Sequence, residues 1–312
     1  MRPWIRTCSV WVGFSIVASA ASAVTLATVQ IGDVGNAADT TGYGSVGYGY
    51  AIGTYEVTNA QYAEFLNAKA ASDPLGLWSP SMTTENITQS GVSGSFTYSV
   101  VTARADRPVT FVSFYDTLRF ANWMSNGQGL GDTESGSYTL TGGTAIPTNA
   151  LTLSRNPAGT YVVTSEDEWY KAAYYNQSTD VYTTYPTHSN TLPVCSAPTA
   201  TPNRANCGNA VGATTNVGSY TGSPSANGTY DQGGNVWEWN EAIIFATFRG
   251  IRGGSFNNPS AQLDSSQRIP GTPETEFAAV GFRLAYIPEP GTALLLSLGL
   301  VGLAARRRAQ SR

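Results

Sequence analysis

The 312-residue chain contains one histidine, three cysteines and three methionines, and only 12% of its residues are charged. A single imidazole, His188, excludes any site that needs two or more histidines of one chain, such as an HExxH zinc helix or a two-histidine iron triad. Three cysteines exclude a four-cysteine zinc or iron–sulfur centre within one chain. No GxSxG elbow accompanies the lone histidine, so a serine hydrolase lacks its parts. His188 itself, in Tyr185-Pro186-Thr187-His188-Ser189-Asn190, reads as a surface loop residue. What the chain does have is 33 Gly, 17 Tyr, 16 Pro, 11 Phe and 7 Trp within a 41% apolar composition. That supplies a sizeable core and argues against intrinsic disorder.

Both ends carry targeting patterns. Arg2 and Arg6 precede an apolar run from Cys8 to about Ala21, and Ala21-Ser22-Ala23 places small residues at −3 and −1. This predicts a secretory signal peptide over residues 1–23. Near the other end, Pro288-Glu289-Pro290 leads into the uncharged run 291–305 and then Arg306-Arg307-Arg308. At about 1.5 Å per residue the run covers about 22 Å, short of a bilayer core of about 30 Å. The arginines would hold the tail in the cytoplasm. These three parts, in this order, resemble the PEP-CTERM sorting signal, whose tail is recognised and removed by an exosortase. The resemblance implies an exported protein of the periplasm, outer envelope or extracellular space, transiently anchored in the inner membrane by residues 291–305. Residues 288–312 are then the sorting segment.

Six of the 17 basic residues and one of the 21 acidic residues lie in these end segments, leaving a net charge of −9 over residues 24–287. So acidic a body repels phosphate backbones, which excludes nucleic acid as a partner. Cys8 falls in the signal, so Cys195 and Cys207 remain. Outside the cytoplasm a pair twelve residues apart in a Pro/Thr/Asn-rich stretch reads as a disulfide, with free thiols or a metal pair as the alternative.

Residues 24–287 show no internal repeat and no linker, and read as one α+β domain with high loop content. Three strand-to-helix units stand out. Ile52 to Val57 is a strand running into a capping box, Thr58 with Gln61, and then Tyr62, Phe65 and Leu66 at helical spacing. Val109 to Val112 is a second strand, with Ser113 capping the helix of Leu118, Ala121 and Trp123. Tyr161-Val162-Val163 is the third. There Ser165 and Glu168 form the box, and the acids Glu166, Asp167 and Glu168 suit the helix dipole. Gly42-Tyr43-Gly44-Ser45-Val46-Gly47 satisfies GxGxxG by letter, but turn and strand residues follow it, so it reads as a Gly-rich hairpin.

The most informative stretch is Asp231-Gln232-Gly233-Gly234-Asn235-Val236-Trp237-Glu238-Trp239-Asn240. Arg249-Gly250-Ile251-Arg252-Gly253-Gly254-Ser255-Phe256 and Gly281-Phe282-Arg283-Leu284 follow it. With Tyr55-Glu56-Val57-Thr58-Asn59 and Glu168-Trp169-Tyr170-Lys171-Ala172-Ala173, the series resembles the formylglycine-generating enzyme, or sulfatase-modifying factor, family over about residues 29–287. The resemblance implies a single compact, loop-rich fold related to C-type lectins, with little regular structure and bound calcium. Read physically, 231–238 is a loop of hard oxygen donors with a Gly-Gly turn, which suits Ca²⁺. The family's calcium ligands correspond to Asp231, Gly234, Val236 and Glu238, and a second calcium site would involve the neighbourhood of Asn206. Of Trp237 and Trp239, in the same strand-like stretch, one is expected to fill the core and the other to line a surface pocket. Trp239, Arg252 and Ser255 are the candidates to border the family's ligand cleft. For Arg252, Arg268 and Arg283 the competing expectation is ion pairing inside the fold.

Copper-dependent members of the family hold Cu(I) between two cysteines after the Arg-Gly-Gly-Ser motif. Here those positions fall near Asn258 and Leu263, and Ser255 to Arg268 contains no cysteine. Amide and aliphatic side chains cannot replace thiolates for Cu(I), so copper is not expected and no catalytic residue is assigned. The expectation is an exported, calcium-stabilised binding or structural module for a peptide, glycan or matrix component. The alternative is an oxidoreductase of the formylglycine-generating type using a non-standard site, with Cys195 and Cys207 as metal ligands.

Overall fold

A computed structural model describes residues 23–288 except Asn86. The elements run β1 (Thr28–Ile31), β2 (Tyr50–Gly53), α1 (Asn59–Lys69), α2 (Met82–Glu85), β3 (Ile87–Ser90), β4 (Thr97–Val100), α3 (Phe114–Ser125), β5 (Tyr161–Val163) and α4 (Glu166–Tyr174). The short strands β6 (Tyr175–Asn176), β7 (Val181–Tyr182), β8 (Val194–Cys195) and β9 (Arg204–Ala205) follow. The chain closes with β10 (Trp237–Ile244), β11 (Phe248–Arg252), β12 (Ile269–Gly271), β13 (Val280–Gly281) and β14 (Leu284–Tyr286). Two four-stranded sheets organise them, in the orders β1-β2-β14-β5 and β12-β11-β10-β13. The first is antiparallel and joins both ends of the fold to its middle. In the second, β13 pairs parallel to β10, so Gly281 lies beside Glu238 and Arg283 follows it two residues on.

Each of the three expected helices begins on its expected cap. Thr58 with Gln61, Ser113 with Asp116 and Ser165 with Glu168 all form complete capping boxes. Tyr62, Phe65 and Leu66 on α1 and Leu118, Phe120 and Ala121 on α3 are fully buried. They meet in an aromatic cluster: Phe120 lies 5.4 Å from Phe65, 5.7 Å from Trp123 and 5.5 Å from Phe282. Edge and tilted ring pairs of this kind add about 0.5–1.5 kcal/mol each beyond area burial.

Two strand expectations are corrected. β2 ends at Gly53, because Thr54 and Tyr55 bend the chain and Val57 bonds instead to the Phe282 carbonyl. Residues 109–112 form no strand: Phe111 has φ +58°, a left-handed turn that breaks the ladder after Val109. The Gly-rich 42–47 segment belongs to the long connection between antiparallel β1 and β2 and opens no helix, in keeping with its reading as a hairpin rather than a nucleotide loop.

Between α4 and β10 the chain is mostly loop, and one covalent bond sets its shape. Cys195 and Cys207 form a disulfide across the parallel pair β8–β9. Cys207 is fully buried and packs with Tyr185, Ala205 and Leu263. Among the described residues no helix is long and apolar enough to cross a membrane. The expected signal peptide up to Ser22 and the apolar run 291–305 lie outside the described residues.

Candidate functional site

The five sequence motifs converge on one buried polar centre beneath the start of β10. Asp231 and Asn235 both adopt left-handed backbone, with φ +60° and +58°, and Gly234 between them has φ +90°. A side chain at Gly234 would begin 2.3 Å from the Asn206 carbonyl oxygen, so only glycine lets this turn close on Asn206. The Asn235 amide then bridges three segments. Its Oδ1 accepts from the Thr215 backbone N–H (2.9 Å) and from Asn206 Nδ2 (3.1 Å), and its Nδ2 donates to Glu56 Oε1 (3.0 Å).

Glu238, three residues on, is fully buried and fully engaged. Arg283 Nε donates to its Oε2 and Nη2 to its Oε1, both at 2.6 Å, and Trp169 Nε1 donates to Oε2 at 2.7 Å. The remaining Arg283 donors are spent on the Gly53, Thr54 and Tyr230 carbonyls. Gly253 of the Arg-Gly-Gly motif closes the arrangement, with φ +102° and room for no Cβ between Gln232 and Trp169.

Two acids in this centre lack a cationic partner. Glu56 is 2% exposed, and its Oε2 is buried without a hydrogen bond. Burial first, and then the Asp231 charge, push its carboxyl well above the usual range. Asp231 accepts from the Gly218 N–H at 2.6 Å, and burial raises its carboxyl to about 6. Asn206 Oδ1 is likewise buried and unpartnered. Asp231 is partly buried, and Glu238 is paired with Arg283. Among the described residues no group of three or more His, Cys, Asp or Glu is placed to hold a metal, so any cation here draws on two carboxylates with amide and carbonyl oxygens.

A cleft of about 380 Å³ opens on the other side of β10, lined by Trp237, Ser255, Asn257, Pro270 and Phe277 among others. Asn258 forms its polar corner. Its Oδ1 accepts from Trp237 Nε1 (2.8 Å) and from the Ser255 N–H (3.1 Å), and lies 2.5 Å from Ser255 Oγ. Leu263, the second position matching a copper cysteine, is fully buried against the disulfide. Trp237 does line a pocket and Trp239 does face the core. That places Trp239 outside the cleft it was expected to border: it is fully buried, with its Nε1 donating to the Val112 carbonyl. Arg252 is also outside the cleft. It is buried, donates to Glu166 Oε1 at 2.7 Å and stacks on Tyr43 and Tyr170. Ser255 alone of the three borders it.

The ion-pair expectation holds for all three arginines, since Arg268 also binds Glu166, at 2.7 Å. The acidic first turn of α4 does more than complement the dipole. Glu166 joins two arginines, Asp167 accepts from the Gly44 N–H, and Glu168 takes two bonds from Arg155. His188 is exposed and hydrogen-bonds with Asn176 Nδ2. Cys195 and Cys207 are joined in a disulfide. Glu56 and Asn235 are the site residues that sequence reasoning did not single out. Both stand inside quoted motifs, which was the available signal.

This fold and centre define a sulfatase-modifying-factor type of domain. The chain belongs to the sulfatase-modifying factor enzyme 1-like domain family, which matches residues 30–287. The PEP-CTERM protein-sorting motif matches residues 287–308, so the domain is that of an exported protein carrying an envelope-sorting signal. No curated protein matches the chain. Among solved structures it is similar to Treponema denticola variable protein 1, at 19% identity and TM-score 0.54, covering 86% of this chain and 98% of that one. It is also similar to the crystal structure of CarF, at 20% identity and TM-score 0.56, covering 84% and 98%. These likenesses establish the fold.

Proposed function

We propose that this protein is an exported binding module that keeps the formylglycine-generating scaffold without its copper chemistry and takes its ligand in the cleft over Trp237. The observation that carries this is the fate of the two copper positions. Asn258 is locked to Trp237 and Ser255, and Leu263 is sealed in a core with the disulfide. Neither offers a soft donor. The mostly apolar lining, with the Ser255–Asn257 corner as its polar mark, favours an apolar side chain of an extracellular peptide over a glycan or matrix component.

Calcium is the cofactor this reading expects. Asp231 and Glu238, with the carbonyls of Gly234 and Val236, would hold it, and its chemistry is to neutralise buried carboxylates and brace the 231–238 turn. Exosortase-type machinery is the partner implied by the sorting motif, with transient anchoring of the chain in the inner membrane through residues 291–305.

The test pairs two assays on the full-length chain purified in detergent. After Cu(I) loading it should bind no stoichiometric copper and should leave a sulfatase-derived cysteine peptide unconverted. Peptide and glycan arrays should give a signal that Trp237→Ala abolishes without lowering the melting temperature by more than a few degrees. Formylglycine in the peptide, or one copper per chain, sinks this reading.

A further inference from the structure

Among the described residues Val24 is the first that the core takes in. It is 7% exposed and packs in the main hydrophobic cluster, whereas Ala23 beside it is exposed. Gln128 grips the Val24 backbone on both sides. Its Oε1 accepts from the Val24 N–H at 2.6 Å, and its Nε2 donates to the Val24 carbonyl at 2.8 Å. One residue on, Gln61 Nε2 donates to the Thr25 carbonyl at 3.0 Å.

A strained loop aims Gln128 at this spot. Gly127, Gln128 and Gly129 follow α3 with φ +79°, +66° and +54°, three left-handed residues in succession. Glutamine rarely adopts that backbone, which persists only where its surroundings fix it. Here the Gln128 N–H donates to the Trp123 carbonyl, and Trp123 Nε1 donates to the Gly129 carbonyl. Between Ala23 and the loop lies a pocket of about 230 Å³, lined by Glu64, Ala68, Trp123 and Gln128 among others. Glu64, from α1, is the only ionisable side chain lining it.

The step from exposed Ala23 to buried Val24 coincides with the bond that Ala21-Ser22-Ala23 marks for a signal peptidase. Hydrolysis there breaks the Ala23–Val24 C–N bond. The oxygen of water completes the Ala23 carboxylate, and its two hydrogens turn the Val24 N–H into an ammonium group. A free α-amino group is mostly protonated at neutral pH. It offers three donors where the peptide offered one, and charge-assisted hydrogen bonds are about twice as strong as neutral ones. Gln128 Oε1 already stands at the Val24 nitrogen, and the pocket supplies a carboxylate.

We infer that Ala23–Val24 is a processing site set at the rim of the fold, and that Gln128 and the Glu64 pocket form a receptor for the α-ammonium group that processing releases. Cleavage then tightens the fold as it frees the chain from its leader, because the new end links α1 to the loop after α3. This inference rests on the signal-peptide expectation for residues 1–23 and is independent of the calcium and cleft readings.

The experiment exports the full-length chain and compares it, in one detergent, with Ala23→Phe, which puts a bulky ring where the peptidase needs a small residue. Intact mass and N-terminal sequencing identify each first residue. The wild type should begin at Val24, and Ala23→Phe should keep residues 1–23 and melt several degrees lower. Gln128→Ala, made in both forms, should lower the melt of the cleaved protein by more than that of the uncleaved one. Gln128→Glu, which keeps an acceptor for the ammonium but loses the donor to the Val24 carbonyl, should penalise only the uncleaved form. Amine labelling near neutral pH gives a local readout, since Lys69 and Lys171 are the only lysines to separate from the α-amine. Gln128→Ala and Glu64→Gln should each label the Val24 amine at least threefold faster than the wild type. If the protein begins at Val24 but Gln128→Ala shifts both forms equally and leaves labelling unchanged, the receptor is overturned while the cleavage reading stands. A first residue other than Val24 overturns both.

Discussion

Asp116 shows what burial does to a capping carboxylate. Its Oδ2 accepts from the Ser113 N–H and Oγ at 2.9 and 2.7 Å, and Arg119 lies 3.9 Å from its other oxygen. Burial nonetheless outweighs these and raises the carboxyl to about 7, with Glu276 adding a small like-charge push. In the unfolded chain the group titrates near ~3.9. Between these values the folded state keeps a proton that the unfolded state has released. The stabilisation is therefore full below about pH 4 and is lost as pH rises through about 7. Asp116→Asn retains an oxygen for Ser113 and cannot ionise. Between pH 5 and 8 the wild type should lose roughly 2–3 kcal/mol relative to this variant in urea unfolding. A difference that stays flat across that range would show that Asp116 does not titrate there. Such pairings were only partly legible. That Arg252, Arg268 and Arg283 would seek acids followed from burying scarce charges, but which acid each would meet depended on contacts across as many as 102 residues.

At the scale of elements, local chemistry decided where helices begin. Ser165 accepts from the Glu168 N–H while Glu168 Oε2 accepts from the Ser165 N–H, so the start of α4 is written in four adjacent residues. The acids of that turn then serve distant partners, and that was not readable. The tract between α4 and β10 is the converse case, since its two-residue strands carry no periodicity to detect. There the disulfide does what a core would otherwise do. Replacing Cys195 and Cys207 together with serine should lower stability by about 3 kcal/mol, the loop-closure value for so short a loop. Denaturation of the variant, and of the wild type under reducing conditions, should agree. A variant as stable as the oxidised protein would mean that packing around Tyr185 and Leu263 holds the tract alone.

For the molecule as a whole, the sorting motif marks an exported protein, and the body that precedes it is acidic. Replacing Pro288-Glu289-Pro290 with three alanines should leave export intact and block removal of the tail. Intact mass of the membrane-associated product would then include residues up to Arg312; a processed product would remove the assigned role of the motif. The sequence by itself determined the family, the sorting motif, the three caps, the loss of both copper cysteines and the loop of oxygen donors. Each of these is a matter of residue types at short spacing along the chain. Only the tertiary structure decided that Glu238 pairs with Arg283, that one Glu56 oxygen is buried without a partner, and that Trp237 rather than Trp239 faces the cleft. Those outcomes depend on how a few buried donors are divided among competing acceptors, and that division is set by packing between segments as far apart as Gly53 and Arg283.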